Sequence, residues 1–191
     1  MRFNRESIDR AFDYKIHLES RTIFLMDSLE GGIDHVSAER FITALHLLSK
    51  QNPEAPIHVV LNSFGGCFYS GMAIYDSIKA CPCHVTIEVV GSAFSMGSIV
   101  LQAADERIIH PNAFIMIHDG HEEASLTPKS FESQAEQSKI TRKMMYQIYA
   151  ERSGKDTKFW EKKCALDTYI SAEHAKELGL VDKIVGEEED G

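Results

Sequence analysis

The sequence predicts an α/β fold, a mainly parallel β-sheet whose strands are joined by helical crossovers. Two observations predict it. Short apolar, β-branched runs recur at residues 22–26, 57–61, 84–90, 107–109, 113–117 and 181–185, the composition of strands. Helical patterns separate several of these runs, and strand–helix–strand alternation is the pattern of parallel strands with crossovers. The mixed apolar character of residues 57–61 further suggests a sheet covered on both faces.

Taken in order, residues 36–49 place Phe41, Leu45 and Leu48 on one helical face. Residues 69–79 and 95–104 follow strands directly and carry helical patterns. Residues 130–152 differ: the pattern is long and polar, with Pro128 and Gly154 as start and stop signals. Met144, Met145, Ile148 and Tyr149 form an apolar stripe near its end. Such a helix either projects from the body to meet a partner or is an ordinary surface helix, and both readings stay open on these residues. Gly31-Gly32 and Gly65-Gly66 mark turns. The chain shows no internal repeat, low-complexity tract or linker, so it reads as one domain over residues 1–191, with residues 187–190 as a solvated acidic end.

Composition excludes several function classes. The 191 residues are 43% apolar and 26% charged, a soluble globular balance. No apolar run approaches the roughly 18 residues a membrane helix needs. The first 13 residues are polar and charged, unlike a secretory signal, so the expected location is cytoplasmic. A net charge of -9 without a Lys/Arg block argues against nucleic acid and against anionic membranes as partners. Of the four cysteines, Cys81 and Cys83 are too closely spaced for a zinc pair and no second pair follows. All four, with Cys67 and Cys164, read as reduced thiols.

Four stretches carry possible chemistry. Residues 61–66 close an apolar strand with Asn62-Ser63-Phe64-Gly65-Gly66. Paired glycines permit positive φ and expose N–H groups that can bind an oxyanion, although a plain turn has the same look. Residues 91–98 follow a strand and open a helix, and Ser95 sits at that junction. It is a candidate nucleophile at a helix mouth, or simply a cap. At residues 113–120, five apolar positions lead to His118 at a strand end, followed by Asp119-Gly120. Strand ends project side chains into the ligand crevice of α/β proteins, so His118 is a candidate base. His110 and His121 are its rivals. Asp167, beside the apolar run 168–172, is a candidate orienting carboxylate, although on these residues alone a turn or cap residue is the better reading. The order Ser, His, Asp, each at the end of a strand or helix, is the notable feature.

Together, Asn62-Ser63-Phe64-Gly65-Gly66, Ala93-Phe94-Ser95-Met96-Gly97-Ser98, Pro111-Asn112-Ala113 with Met116-Ile117-His118, and residues 167–175 with Gly179-Leu180-Val181-Asp182 closely resemble the ClpP family, the proteolytic subunits of the Clp protease. Residues 21–25 and 70–76 resemble its first strand and the helix after its glycine loop. The resemblance covers roughly residues 14–185. It implies a crotonase-like (ClpP) fold, with a head at 14–127 and 154–185 and a projecting handle helix at about 128–153. It implies a self-compartmentalised serine endopeptidase acting on unfolded polypeptides through an acyl-enzyme, with Ser95 as nucleophile, His118 as base and Asp167 as its partner. The Gly66 and Met96 N–H groups would form the oxyanion hole. Substrate would lie extended beside Gly65 and Cys67 and along Asp119 and Gly120. That chemistry needs no metal or organic cofactor. The implied assembly is two stacked heptameric rings, fed by an AAA+ unfoldase.

The sequence departs from the family in places. Phe64 stands where the family has Pro, Phe94 where it has a small residue, and Asp119-Gly120 where it has Gln-Pro. The interval between Ser95 and His118 is slightly short. At positions matching the unfoldase-docking pocket stand His58, Val60, Ala80 and Glu88, without aromatics and with a charge. The expectation is a diverged unfoldase or none. Alternative readings are an inactive or structural ring subunit, a crotonase-type acyl-CoA enzyme, or a non-catalytic scaffold of this fold.

Overall fold

The structure is a computed structural model that describes residues 12–27, 31–121 and 127–187. The polar start and most of the acidic end lie outside the described residues. In chain order the elements are β1 (Ile16–His17), β2 (Thr22–Met26), α1 (His35–Gln51), β3 (Ile57–Ser63), α2 (Phe68–Lys79), β4 (Val85–Phe94), α3 (Met96–Leu101), β5 (Glu106–Ile109), β6 (Phe114–Ile117), α4 (Pro128–Ser153), α5 (Thr157–Cys164), β7 (Thr168–Ser171), α6 (Ala172–Glu177) and β8 (Lys183–Ile184). The sheet runs β1-β2-β3-β4-β5-β8, with β6 paired to β4 and β7 paired to β6. All pairs are parallel except β1–β2 and β6–β7.

One face of the sheet makes the core. Ile57, Val59 and Leu61 of β3 and Val85, Ile87 and Val89 of β4 are inaccessible and cluster with Phe41, Leu45 and Leu48 of α1 and Ile74 and Ile78 of α2. The intervening residues His58, Val60, Thr86 and Glu88 are only half-buried. The expected cover on both faces is therefore not what β3 and β4 have. Their second face is polar enough to meet water: Glu88 bridges His58 (2.9 Å) and His110 (2.5 Å).

β4 runs four residues further than its apolar pattern suggested. Past a register shift in β3 between Leu61 and Ser63, it continues through Gly91 to Phe94 and pairs with β6. Gly91 has φ +87, and the Ser92 N–H (3.1 Å) and hydroxyl (2.9 Å) both donate to Asn62 Oδ1. The strand thus bends around the Asn62 side chain, where a Cβ on Gly91 would come within 2.9 Å of Oδ1. The following helix is correspondingly short, Met96–Leu101 instead of 95–104.

The long helix α4 has Thr127 as N-cap, Pro128 in its first turn, and Gly154 at φ 72 as C-cap. Its only buried residues are Tyr146, Ile148 and Tyr149, so most of its length stands in solvent. Among the described residues no helix is long and apolar enough to cross a membrane. The chain then returns through α5, whose Trp160 and Cys164 are buried, and through β7 and α6, none of which the sequence pattern announced as elements. At the far edge Arg107 of β5, 4% exposed, binds Asp182 ahead of β8, closing a network with Gln102 and the Gly179 carbonyl.

Candidate active site

Ser95 is the single residue between β4 and α3. Its backbone sits at φ 51, ψ -121, a region that costs an L-residue about 1–3 kcal/mol. Neighbouring bonds hold it there. The Ser95 N–H donates to the Met116 carbonyl (2.8 Å). The Ser98 N–H (3.0 Å) and hydroxyl (2.6 Å) both donate to the Ser95 carbonyl.

His118 and Asp167 come together through strand pairing. β6 and β7 are antiparallel with Ile117 opposite Thr168, so the residue after Ile117 and the residue before Thr168, His118 and Asp167, also face each other. His118 Nδ1 lies 3.0 Å from Asp167 Oδ1, and Nε2 lies 2.8 Å from Ser95 Oγ. An ionised carboxylate can only accept, so Nδ1 carries the proton and donates to Asp167. Nε2 then presents its lone pair, and the Ser95 hydroxyl donates to it. The histidine side chain is 12% exposed and the aspartate 44%.

The turn after His118 is anchored at Asp119. Its N–H donates to the Cys164 carbonyl (2.8 Å), and its carboxylate accepts from the Tyr146 hydroxyl of α4. Burial, then this bond, holds the Tyr146 phenol above its ordinary value, so it stays a donor. Burial and the charge of Asp119 push the Cys164 thiol up to about 12, which rules it out as a thiolate nucleophile near neutral pH.

The glycine loop abuts Ser95. Gly65, at φ +98, lies so close that a Cβ there would sit 2.6 Å from Ser95 Cβ and 2.9 Å from the Met96 nitrogen. Gly66, at φ +147, admits no Cβ because the Ile33 carbonyl oxygen would be 2.2 Å away. Ile33 bonds to both neighbours of Gly66, donating to the Gly65 carbonyl and accepting from the Cys67 N–H (2.7 Å each). That ladder leaves the Gly66 N–H itself out, as a parallel bridge requires. The loop is further tied by Gly65 N–H to Ser63 Oγ (3.0 Å) and Phe64 N–H to Asp27 Oδ2 (2.6 Å).

Two features add to the site residues legible in the sequence, where Phe94, one place before Ser95, already stands as a departure from the family that bears on specificity. First, α4 reaches both halves of the site. Since the Ser98 hydroxyl proton goes to the Ser95 carbonyl, the Tyr149 hydroxyl donates to Ser98 Oγ (2.6 Å). Burial holds the Tyr149 phenol well above its usual value. Tyr146 and Tyr149 are three apart, hence on one helix face, and that spacing was the available signal. Second, Phe94, Met116 and Tyr169 are in register across β4, β6 and β7. Alternate residues share a face, so this row lies on the same side as His118 and Asp167. Phe94 touches Phe64 (5.5 Å) and Tyr169 (5.6 Å) edge-on, and Phe64 and Tyr169 are exposed. An aromatic strip therefore borders Ser95.

The structure brings Ser95, His118 and Asp167 into one chain of contacts, with Gly65 against Ser95 and Met96, and Gly66 next in the loop, packed on Ile33. Cys67 is exposed at the N-cap of α2, and Asp119 and Gly120 continue from His118. His110 is elsewhere, bound to Glu88, whereas His121 stands edge-on to His118 at 5.2 Å. His58, Val60 and Glu88 lie on the half-exposed sheet face, with Val60 opposite Glu88, and Ala80 is exposed at the end of α2.

Residues 5–188 match the family model for Clp protease. A protein of Streptomyces avermitilis named ATP-dependent Clp protease proteolytic subunit 1 is 37% identical over 155 residues, covering 80% of this chain and 71% of its own length. A protein of Protochlamydia amoebophila with the same name is 37% identical over 172 residues, covering 88% and 82%. With an α/β fold on a mostly parallel sheet and a match over nearly its whole length, the chain belongs to the Clp protease family.

Proposed function

We propose that this protein is a serine endopeptidase that cleaves unfolded polypeptides, with residues 1–191 acting as one peptidase domain. The observation that carries the reading is the unbroken sequence of hydrogen bonds from Asp167 through His118 to Ser95 Oγ, at 3.0 and 2.8 Å. His118 Nε2 takes the hydroxyl proton as Ser95 Oγ bonds to the scissile carbonyl carbon. The negative charge on the carbonyl oxygen is met by the Gly66 and Met96 N–H groups, each contributing about 3–4 kcal/mol. His118 passes its proton to the departing amine, leaving an ester on Ser95. Water attacks that ester with His118 again as base, and the acid product leaves. Substrate runs extended beside Gly65 and Cys67 and along Asp119 and Gly120.

Assembly into two stacked heptameric rings in the cytoplasm follows the family resemblance. Two features support it: the largely exposed length of α4, and the hydrogen bonds from its inner end to Ser98 and Asp119. The half-exposed positions His58, Val60, Ala80 and Glu88 favour a diverged unfoldase partner, or none.

The test is a fluorophosphonate probe applied to the assembled protein, with the adduct mapped by mass spectrometry. Labelling at Ser95 that disappears in His118→Ala is the expected result. Correctly assembled protein that does not label would sink the reading.

A further inference from the structure

We propose that His118, His121 and Asp167 form a binding site for a divalent transition metal of the zinc class, and that filling it switches the peptidase off. The site stands on geometry alone, while the inhibitory consequence rests on the serine-peptidase reading above.

Among the described residues, this is the group of three or more His, Cys, Asp or Glu side chains whose donor atoms all lie within 4.8 Å of one another. Asp167 Oδ1 is 3.0 Å from His118 Nδ1 and 3.9 Å from His121 Nε2. Metal bonds of about 2.1 Å at tetrahedral angles set donor atoms about 3.4 Å apart, which falls between those two separations. His121 is the side chain that must adjust, and at 81% exposure it is free to do so. Its position is not accidental. Asp119 is pinned by the Cys164 carbonyl and the Tyr146 hydroxyl, and Gly120 takes φ +88. The chain thereby doubles back and sets the His121 ring against His118 at the rim of a pocket that Cys164 and Leu166 also line.

Two imidazole nitrogens and one carboxylate oxygen suit zinc, with water completing four-coordination, and disfavour magnesium or calcium, which select oxygen. The consequence for catalysis follows from the tautomer. Nδ1 of His118 normally carries the proton and Nε2 the lone pair. A metal on Nδ1 moves that proton to Nε2, with no net loss to solvent, and the metal gives up water in exchange for each ligand. Nε2 is then a donor and cannot take the Ser95 proton. Asp167 is engaged as a ligand at the same time and no longer orients the ring.

The probe is zinc chloride, with the fluorophosphonate labelling rate at Ser95 and calorimetric zinc binding read in parallel on the full chain. Zinc should slow labelling of the chelator-treated protein at least about tenfold, reversibly with EDTA, while magnesium does nothing. His121→Ala should label at the unaltered rate without zinc. It should need at least ~10-fold more zinc for the same effect, because losing a ligand costs no less than the roughly 10- to 100-fold of losing a supporting hydrogen bond. Equal zinc sensitivity in His121→Ala and the parent, or equal protection by magnesium, overturns the proposal. If the zinc-free parent does not label at all, the peptidase reading fails instead. Calorimetry then decides the site by itself: binding of one zinc per chain, weakened in His121→Ala, supports it, and no binding refutes it.

Discussion

The Arg107 network and the Ser95–His118–Asp167 chain are both polar clusters at strand ends, and they are finished differently. Arg107 is nearly inaccessible. Its guanidinium donates to both carboxylate oxygens of Asp182 (Nη2 at 2.5 Å, Nε at 3.0 Å), to Gln102 Oε1 (2.7 Å) and to the Gly179 carbonyl (2.8 Å). Gln102 in turn donates to the carbonyls of Ser98 and Leu180. The network closes on itself and holds β5 to the turn before β8. The Ser95 chain does not close. One end is a strained serine, the other a carboxylate 44% exposed, and a single hydrogen bond joins each pair. A closed network stabilises the fold, while an open one leaves donors and acceptors available to a substrate.

If that division holds, substitutions should separate stability from activity. The largest effect is expected at Ser95. Ser95→Ala should lower peptide hydrolysis by about a million-fold with little change in unfolding free energy. Ser95→Gly should be equally inactive yet about 1 kcal/mol more stable than Ser95→Ala, because glycine tolerates φ 51. Denaturant titration of both variants measures this, and equal stability would show that no strain is stored at the turn. Next, Asp167→Asn should cut turnover about ten-thousand-fold through loss of the correct histidine tautomer, with an unfolding midpoint close to the parent's.

Arg107→Ala should do the reverse. It strips Asp182 of the guanidinium, leaving only the bond from the residue 107 N–H, and leaves Gln102 Oε1 without its donor, and should destabilise by about 3 kcal/mol, at the low end for a broken buried pair because Asp182 is partly exposed. Probe labelling per folded molecule should be preserved. The effect has a pH signature. Burial alone would raise the Asp182 carboxyl, but the bonds and charge of Arg107 outweigh it and hold the group below its ordinary value. Its stabilisation is therefore full above the unfolded value and is lost as pH falls through the folded one. The stability gap between parent and Arg107→Ala should narrow on acidification, and a gap constant down to strongly acid pH would contradict the pairing. The smallest effect is expected for Tyr149→Phe, about 1 kcal/mol for one buried hydrogen bond. Slower labelling of Ser95 should accompany it if α4 steadies the serine turn through Ser98.

Much of the head was legible from local pattern. The β-branched runs of β2, β3 and β5 and the 3.6-residue spacing of Phe41, Leu45 and Leu48 are signals that neighbours do not override. The apolar pattern of β4 stops at residue 90, because Gly91 and Ser92 interrupt the β-branched run. Only the Asn62 side chain, thirty residues away in sequence, lets them continue as strand. α5, β7 and α6 are four to eight residues long, too short for periodicity to stand out. Ser95 and His118 could be singled out by their place at strand ends. Asp167 could be noted beside its β-favouring run but not set above a turn or cap residue, since its neighbour is set by the antiparallel pairing of β6 with β7, and that pairing leaves no local trace. The family resemblance decided its role, while Tyr149 reads as part of an apolar stripe that leaves Tyr146 out.

The late position of β7 has a consequence for the life of the chain on the ribosome. Asp167 emerges about 70 residues after Ser95, roughly 4–14 s later at about 5–20 residues per second. Until β7 has been made and has annealed to β6, His118 lacks the carboxylate that sets its tautomer. A nascent head domain would thus be folded in most of its core while still chemically unarmed, which protects both itself and its neighbours during synthesis.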